Sequence, residues 1–248
     1  MPGVDAWQFE CAIQDAVALE RREFAGGVAL LNPELPRVYD ANFVRFDQPL
    51  DASAVAEIAD DMLASFAHRK VVLPESASVA ADELRAEGWT LHTLVTMEYR
   101  GGPSSSPPAA ELLSPSQLRE ARHQAHDDIE RDLDATRQII EFTERMASVV
   151  PTQMFGARPR GSDEIGAYCC LFQRDGIGQI DEVTTIVRHR EQGLGNAVVR
   201  AALAASLAAG DSLLFLVADE ADWPREWYER LGFETTARRY ELLRATAR

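Results

Sequence analysis

Late in the chain the spacing of hydrophobic residues switches from one period to another around a pair of glycines. Ile177 to Ile186 predicts a strand, with Ile180, Val183 and Ile186 set among polar residues. Asn196 to Ala209 predicts a helix, because Val199, Leu203, Ser206 and Leu207 recur at helical spacing and Gly210 stands where a cap belongs. Arg190-Glu191-Gln192-Gly193-Leu194-Gly195 joins the two. A turn from strand into helix aims several backbone N–H groups and the positive helix end at one spot, and glycines let an anion come close. The loop is neither G-x-G-x-x-G nor a lysine-bearing phosphate loop. Beyond it, the apolar run 213–217 predicts a strand. Glu226 to Leu231 predicts a helix started by Trp223-Pro224, and Glu234 to Leu243 a final strand.

The same order closes the first part of the chain. Val71-Val72-Leu73-Pro74-Glu75 is followed by a helix through Leu84 to Trp89 and a strand from Thr90 to Tyr99. Laying Gly88 on Gly232 brings Arg100 onto Arg244, which suggests a duplicated unit. The alternative is chance recurrence of a common strand–helix–strand order. Gly101 to Pro108, rich in Gly, Ser and Pro, reads as a linker. After it, 115–132 and 133–149 predict two helices, the second with Ile139, Phe142, Met146 and Val149 on one face. Ala167 to Phe172 predicts an apolar strand, and Arg174-Asp175-Gly176 a turn into the strand that leads to the glycine loop.

Arg190-x-x-Gly193-x-Gly195 between a strand and a helix, followed by Tyr228 four residues before Gly232-Phe233, resembles the acetyl-CoA signature and closing block of the GNAT superfamily of N-acetyltransferases. The likeness covers about the last third of the chain. It implies an α+β (mixed α/β) fold of two GNAT-like halves, each a mixed, mostly antiparallel sheet flanked by helices. Residues 1–100 would be a degenerate half, 101–109 a linker and 110–248 the catalytic half. By the same resemblance, the backbone from Arg190, Glu191, Gln192, Gly193, Leu194, Gly195 and Asn196 would hold the CoA pyrophosphate. Val183, Thr185 and Val187 would meet the pantetheine arm. Tyr228 would protonate the leaving CoA sulfur, since a phenol keeps its proton until a thiolate appears. The rival role for Tyr228 is core packing, although Trp227 and Leu231 form the better core stripe. Val187 stands where the family often has proline, and Ala221 where it often has an asparagine seven residues before the tyrosine. In the first half, Leu84 stands in the tyrosine's place and 46–51 lacks glycine, so that half is expected to bind no CoA.

For the base, Asp181 and Glu182 are adjacent acids in an otherwise apolar strand, and strict alternation puts them on opposite faces. Either could take the amine proton; a solvated edge or a structural ion pair is the alternative. His123 and His126 share one side of a helix, but their charged neighbours favour a solvated face over a ligand site. No Cys/His spacing suggests a metal. Adjacent Cys169 and Cys170 should point opposite ways in a strand and cannot easily pair, and with Cys11 they read as small buried residues in a reducing cytoplasm.

A net charge of −15 argues against nucleic acid, which needs a basic face. No apolar run is long enough to cross a bilayer. The GNAT resemblance implies acetyl-CoA and a small amine as partners, with a homodimer allowed. Two functions stay open: an acetyl-CoA-dependent N-acetyltransferase working by direct attack in a ternary complex, or a non-catalytic acyl-CoA-binding or regulatory module.

Overall fold

The computed structural model of the chain describes residues 5–102, 109–127 and 132–245. In chain order come α1 (Ala6–Val17), β1 (Glu20–Phe24), β2 (Gly27–Leu31), β3 (Phe43–Phe46), α2 (Ala52–Met62), β4 (His68–Pro74), α3 (Ser78–Ala86) and β5 (Thr90–Tyr99). Next are β6 (Glu111–Leu112), α4 (Pro115–Asp127), α5 (Leu133–Val149), β7 (Thr152–Ala157), β8 (Ala167–Arg174) and β9 (Ile177–Thr185). The chain closes with α6 (Leu194–Ala209), β10 (Leu213–Asp219), α7 (Pro224–Arg230) and β11 (Phe233–Ala245). Asp132, expected at the end of a helix, instead caps α5, accepting N–H bonds from Asp134 and Ala135. The buried side of α5 runs through Ala135, Gln138, Ile140 and Phe142, whereas Ile139, Met146 and Val149 stay half-buried. The linker expected at 101–109 falls largely outside the described residues.

Two compact units organise these elements, Met1–Ile13 with Glu98–Leu216, and Gln14–Met97 with Val217–Arg248. They are discontinuous, whereas the sequence division runs 1–100 and then 110–248. The physical reason is β11, which pairs antiparallel with β4 from Arg239↔Pro74 to Ala245↔His68. The C-terminal strand therefore completes the sheet of the unit formed by residues 14–97.

In that unit the strand order is β1-β2-β3-β4-β11-β5. β3 and β4 run parallel, joined through α2, because a parallel pair needs a crossover. Val71, Leu73, Leu84 and Trp89 share one core with Val44, Phe46, Val55 and Leu242. Lys70, the chain's sole lysine, is buried between the carboxylates of Asp40 and Glu241, which hold its ammonium well above the ordinary lysine range despite the cost of burial.

His68 lies in the same unit, fully buried, with Nε2 donating to the carbonyl of Asn42 at 2.9 Å and Nδ1 without a partner. Burial, aided by Arg69 and Lys70, lowers its proton affinity. A base whose folded pKa lies below its unfolded value protonates more readily in the unfolded chain. Stability is thus complete above the ordinary imidazole pKa and falls as pH drops through that range. Tm measured between pH 8 and pH 5 should decline, and His68→Gln should flatten the part below pH 7. Parallel curves for the two proteins would remove His68 as the cause.

The other unit has the order β10-β9-β8-β7-β6, antiparallel except for β9 and β10, which run parallel through α6. Each unit thus contains an antiparallel pair, a helix and a parallel strand: β2-β3-α2-β4 in one and β8-β9-α6-β10 in the other. Gly88 and Gly232, which the sequence aligns, have φ of 95° and 99° at the matching turns. Both turns need a backbone that only glycine adopts without strain.

Cys169 Sγ lies 3.4 Å from the carbonyl of Val198 on α6, and Cys170 Sγ 3.8 Å from Arg122 on α4. Neighbouring residues of a strand point to opposite faces, so α4 and α6 cover β8 from opposite sides. None of the three cysteines forms a disulfide; Cys169 and Cys170 are buried and Cys11 is half-buried. Among the described residues no helix is long and apolar enough to cross a membrane.

Candidate functional site

The turn after β9 tightens through a short helical turn at Val187–His189, where His189 N–H donates to Ile186 at 2.8 Å and Arg190 N–H to Val187 at 3.2 Å. Glu164 braces it from outside, accepting from Arg188 and His189; these bonds, His189's first, lower the carboxyl's pKa. Arg190, Glu191, Gln192 and Gly193 are exposed, and the chain enters α6 through two left-handed residues, Glu191 at φ 65° and Gly193 at φ 76°. Gly193 is the N-cap and offers no side-chain cap. The first N–H groups of α6, from Leu194, Gly195 and Asn196, have no carbonyl one turn earlier inside the helix. A Cβ on Gly193 would meet nothing within 4 Å, so the approach to those groups is open. Leu194 itself seats against Gly166, where a Cβ would come within 2.5 Å of its methyl. Ile186 N–H donates to the Gly166 carbonyl at 3.0 Å, which ties the loop to the start of β8.

The matching turn between β3 and α2 is built differently. Asp51 caps α2 with its own carboxylate, accepting the Ala54 N–H at 2.8 Å and the Ser53 hydroxyl at 2.8 Å. Those hydrogen bonds, the backbone one first, hold the Asp51 carboxyl below its ordinary pKa. One helix supplies its own anion; the other leaves the position free. That cap adds a reason for the first half's expected lack of CoA binding.

Along β9 the alternation expected from sequence breaks at Glu182. Cys170 pairs with Asp181 and Tyr168 with Thr184, so Glu182 and Val183 together oppose Cys169. This is a bulge, and Glu182 sits in it at φ 56°. A left-handed non-glycine residue costs about 1–3 kcal/mol and persists only where its surroundings hold it. The hold here is Arg122 of α4: Nε donates to Oε1 at 2.6 Å and Nη2 to Oε2 at 2.5 Å, while the Cys170 thiol donates to Oε2 at 3.3 Å. The Arg122 side chain is 2% exposed. Burial works against its charge, but Glu182 outweighs this and raises its pKa. Removing either partner of such a buried pair costs about 3–5 kcal/mol.

Sequence reasoning missed Arg122, yet the signal is present. Leu118, Ala121, Arg122 and Ala125 form the buried stripe of α4, and a lone arginine in an apolar stripe calls for a buried carboxylate. Asp181 is half-buried beside the bulge, and its Oδ1 accepts the Glu182 N–H at 2.7 Å. Val183 and Thr185 are half-buried and Val187 is 45% exposed. His123 is exposed on α4. Among the described residues no group of three or more His, Cys, Asp or Glu could hold a metal ion. Burial raises the pKa of both the Cys169 and Cys170 thiols, which keeps them protonated.

Tyr228 belongs to the other unit, on α7. The expected division of labour is reversed there: Tyr228 is the buried residue at 7% exposure and Trp227 only half-buried. The α7 helix is short, and its buried side turns Tyr228 edge-on to Phe233, the first residue of β11, at 6.0 Å. Trp227 covers the Tyr228 ring at 4.8 Å, and Trp223 lies beyond it, 68% exposed. Ala221 is exposed and donates its N–H to Asp219.

Residues 155–242, which span β9, the loop, α6 and α7, match a family model described as FR47-like protein. A conserved protein of unknown function from Staphylococcus epidermidis ATCC 12228 superposes with TM-score 0.74 at 15% identity, over 96% of this chain and 98% of that one. The GCN5-related N-acetyltransferase from Kribbella flavida gives 0.62 at 22% identity, over 98% and 96%. The fold is that of the GNAT acetyltransferases. A tandem GNAT protein from the clavulanic acid biosynthesis pathway also superposes, with TM-score 0.54 at 15% identity over 90% of this chain and 80% of that one. No curated protein matches the sequence. The two GNAT-like halves expected from sequence, each mixed and mostly antiparallel, correspond to the repeated order of strands and helices. The open turn at Gly193 lies between β9 and α6, inside the residues that match the family model.

Proposed function

We propose that the protein is an acetyl-CoA-dependent N-acetyltransferase that acts on a small amine in a ternary complex. The observation that carries this reading is the uncapped start of α6, reached through left-handed Gly193 in the segment that matches the FR47-like model. A pyrophosphate there would accept from the N–H groups of the first turn and meet the positive helix end. Val183, Thr185 and Val187 then present backbone to the pantetheine arm, and 110–248 supplies the acyl-transfer chemistry while 1–100 supports it.

The chemistry needs a neutral amine and a proton for the leaving thiolate. Asp181 takes the amine proton, because the neighbouring Glu182 carboxylate is already committed to Arg122 and Cys170. The neutral amine nitrogen attacks the thioester carbonyl, and the tetrahedral intermediate collapses as its C–S bond breaks. The CoA sulfur leaves with a proton from Tyr228, and the extra proton on the nitrogen restores the Tyr228 phenol. No acyl-enzyme is required: the buried thiols at 169 and 170 are held protonated. A reducing, cytoplasmic setting suits three cysteines that form no disulfide. The test is release of free CoA from acetyl-CoA with a panel of primary amines. Amine-dependent release, lowered in Asp181→Asn, supports the reading; acetyl-CoA binding with no release by any amine favours a binding or regulatory module.

Stoichiometry checks the inactive half. The Asp51 carboxylate occupies the start of α2, and Pro49 removes a donor from the turn before it. Calorimetry should give one CoA per chain, and Asp51→Ala should not create a second site. Two equivalent sites per chain would overturn the assignment of 1–100 as the half without CoA.

A further inference from the structure

We infer that Arg122 and Glu182 are positioning residues, a buried pair that sets the bulge in β9 and thereby the backbone that meets acyl-CoA. The inference rests on the proposed function and deepens it at the same site.

Four observations converge. Glu182 is left-handed at φ 56°, a conformation that an unbranched acidic side chain does not favour by itself. The register of β8 against β9 slips at this point, with two residues opposing one. Both Glu182 oxygens are engaged, by a two-pronged contact from Arg122 and by the Cys170 thiol. Arg122 comes from a different element, α4, and is buried to 2% exposure. A fork of two parallel N–H bonds fixes direction as well as distance. It therefore dictates where the Glu182 side chain leaves the strand and, through it, the rotation of the backbone at Val183 and Thr184.

Without the bulge, strict alternation would carry Val183 and Thr185 on the face of Asp181. With it, Glu182 and Val183 together oppose Cys169, the residues from Val183 onward change face relative to Asp181, and the ladder with β8 resumes at Thr184↔Tyr168 and Thr185↔Ala167. The pair thus acts on acyl-CoA through the strand, without touching the reacting atoms. This also gives two adjacent acids different roles, Glu182 clamped to shape the strand and Asp181 assigned the proton transfer.

Acetyl-CoA affinity by calorimetry, KM and kcat, and Tm would be measured on the parent, Arg122→Met, Glu182→Gln and the double variant Arg122→Met/Glu182→Leu. The double variant guards against misfolding, because replacing a whole buried ion pair by apolar residues is often neutral or stabilising. All three variants should weaken acetyl-CoA binding about 10-fold or more, the scale expected from a small misplacement of a binding group, with KM rising more than kcat falls. The double variant should do so at a Tm close to the parent's. Parent-like affinity in a folded double variant would overturn the clamp while leaving the acetyl-CoA reading in place. So would a Glu182→Gln variant that loses kcat at unchanged affinity, which would make Glu182 a base. A parent that binds no acetyl-CoA would remove the reading and the clamp together.

Discussion

Acetyl-CoA should raise the Tm of the parent protein and leave that of Gly193→Glu unmoved. A ligand at about 100 times its Kd stabilises the folded state by about 2.7 kcal/mol, which for a chain of this size is about 5–10 °C. Gly193 caps α6 at φ 76° with open space where a Cβ would stand. A glutamate there would set its carboxylate over the N–H groups of the first turn. Asp51 already does this, with its own carboxylate, at the start of α2. The substitution would thus convert the open turn into a self-capped one, with like-charge repulsion against a pyrophosphate. Left-handed backbone strains any side chain at this position, so Gly193→Gln is the control, equal in shape and strain but without the charge. The glutamine variant should keep a reduced shift. Equal shifts in parent and Gly193→Glu would move the CoA site elsewhere.

What made this loop legible was local physics. A strand period, two glycines and a helix period fall in consecutive order, and the helix came within two residues of its observed start, with Gly210 capping it at φ 79°. The strand at Thr90 and the final strand were readable because each follows a helix and a Gly-aromatic pair, and they are observed at Thr90–Tyr99 and Phe233–Ala245. Pairing was not. That β11 lies beside β4 depends on contacts between residues far apart in sequence, and no periodicity encodes a partner. The bulge at Glu182 was hidden for a related reason. Alternation assumes a regular ladder, and what breaks the ladder is an arginine from α4, sixty positions earlier in the chain. The Asp51 cap went unread although an acid before a helix is an ordinary N-cap signal, because no helix was expected at 52–62 from the sequence.

Tyr228→Phe should keep the acetyl-CoA shift and lower turnover on the order of 10²-fold or more, as loss of a general acid does. The structure makes this substitution a clean one. The Tyr228 ring packs edge-on to Phe233 at 6.0 Å and beneath Trp227 at 4.8 Å, and phenylalanine preserves both contacts. Stability should therefore fall by no more than about 0.5–1.5 kcal/mol, the net worth of a hydroxyl's hydrogen bond. Burial at 7% exposure has two consequences that pull apart. It fits a core aromatic, whose removal would be felt only in Tm. It also fits an acid shielded from water, whose proton reaches the leaving thiolate and not bulk solvent. Turnover separates them, because a packing residue replaced by its closest isostere leaves kcat alone. Trp227→Leu supplies the opposite control: it strips the cover from the ring, should lower Tm more than Tyr228→Phe does, and leaves the phenol in place. A Tyr228→Phe enzyme with parental kcat would return Tyr228 to the core and leave the departing sulfur to find its proton elsewhere.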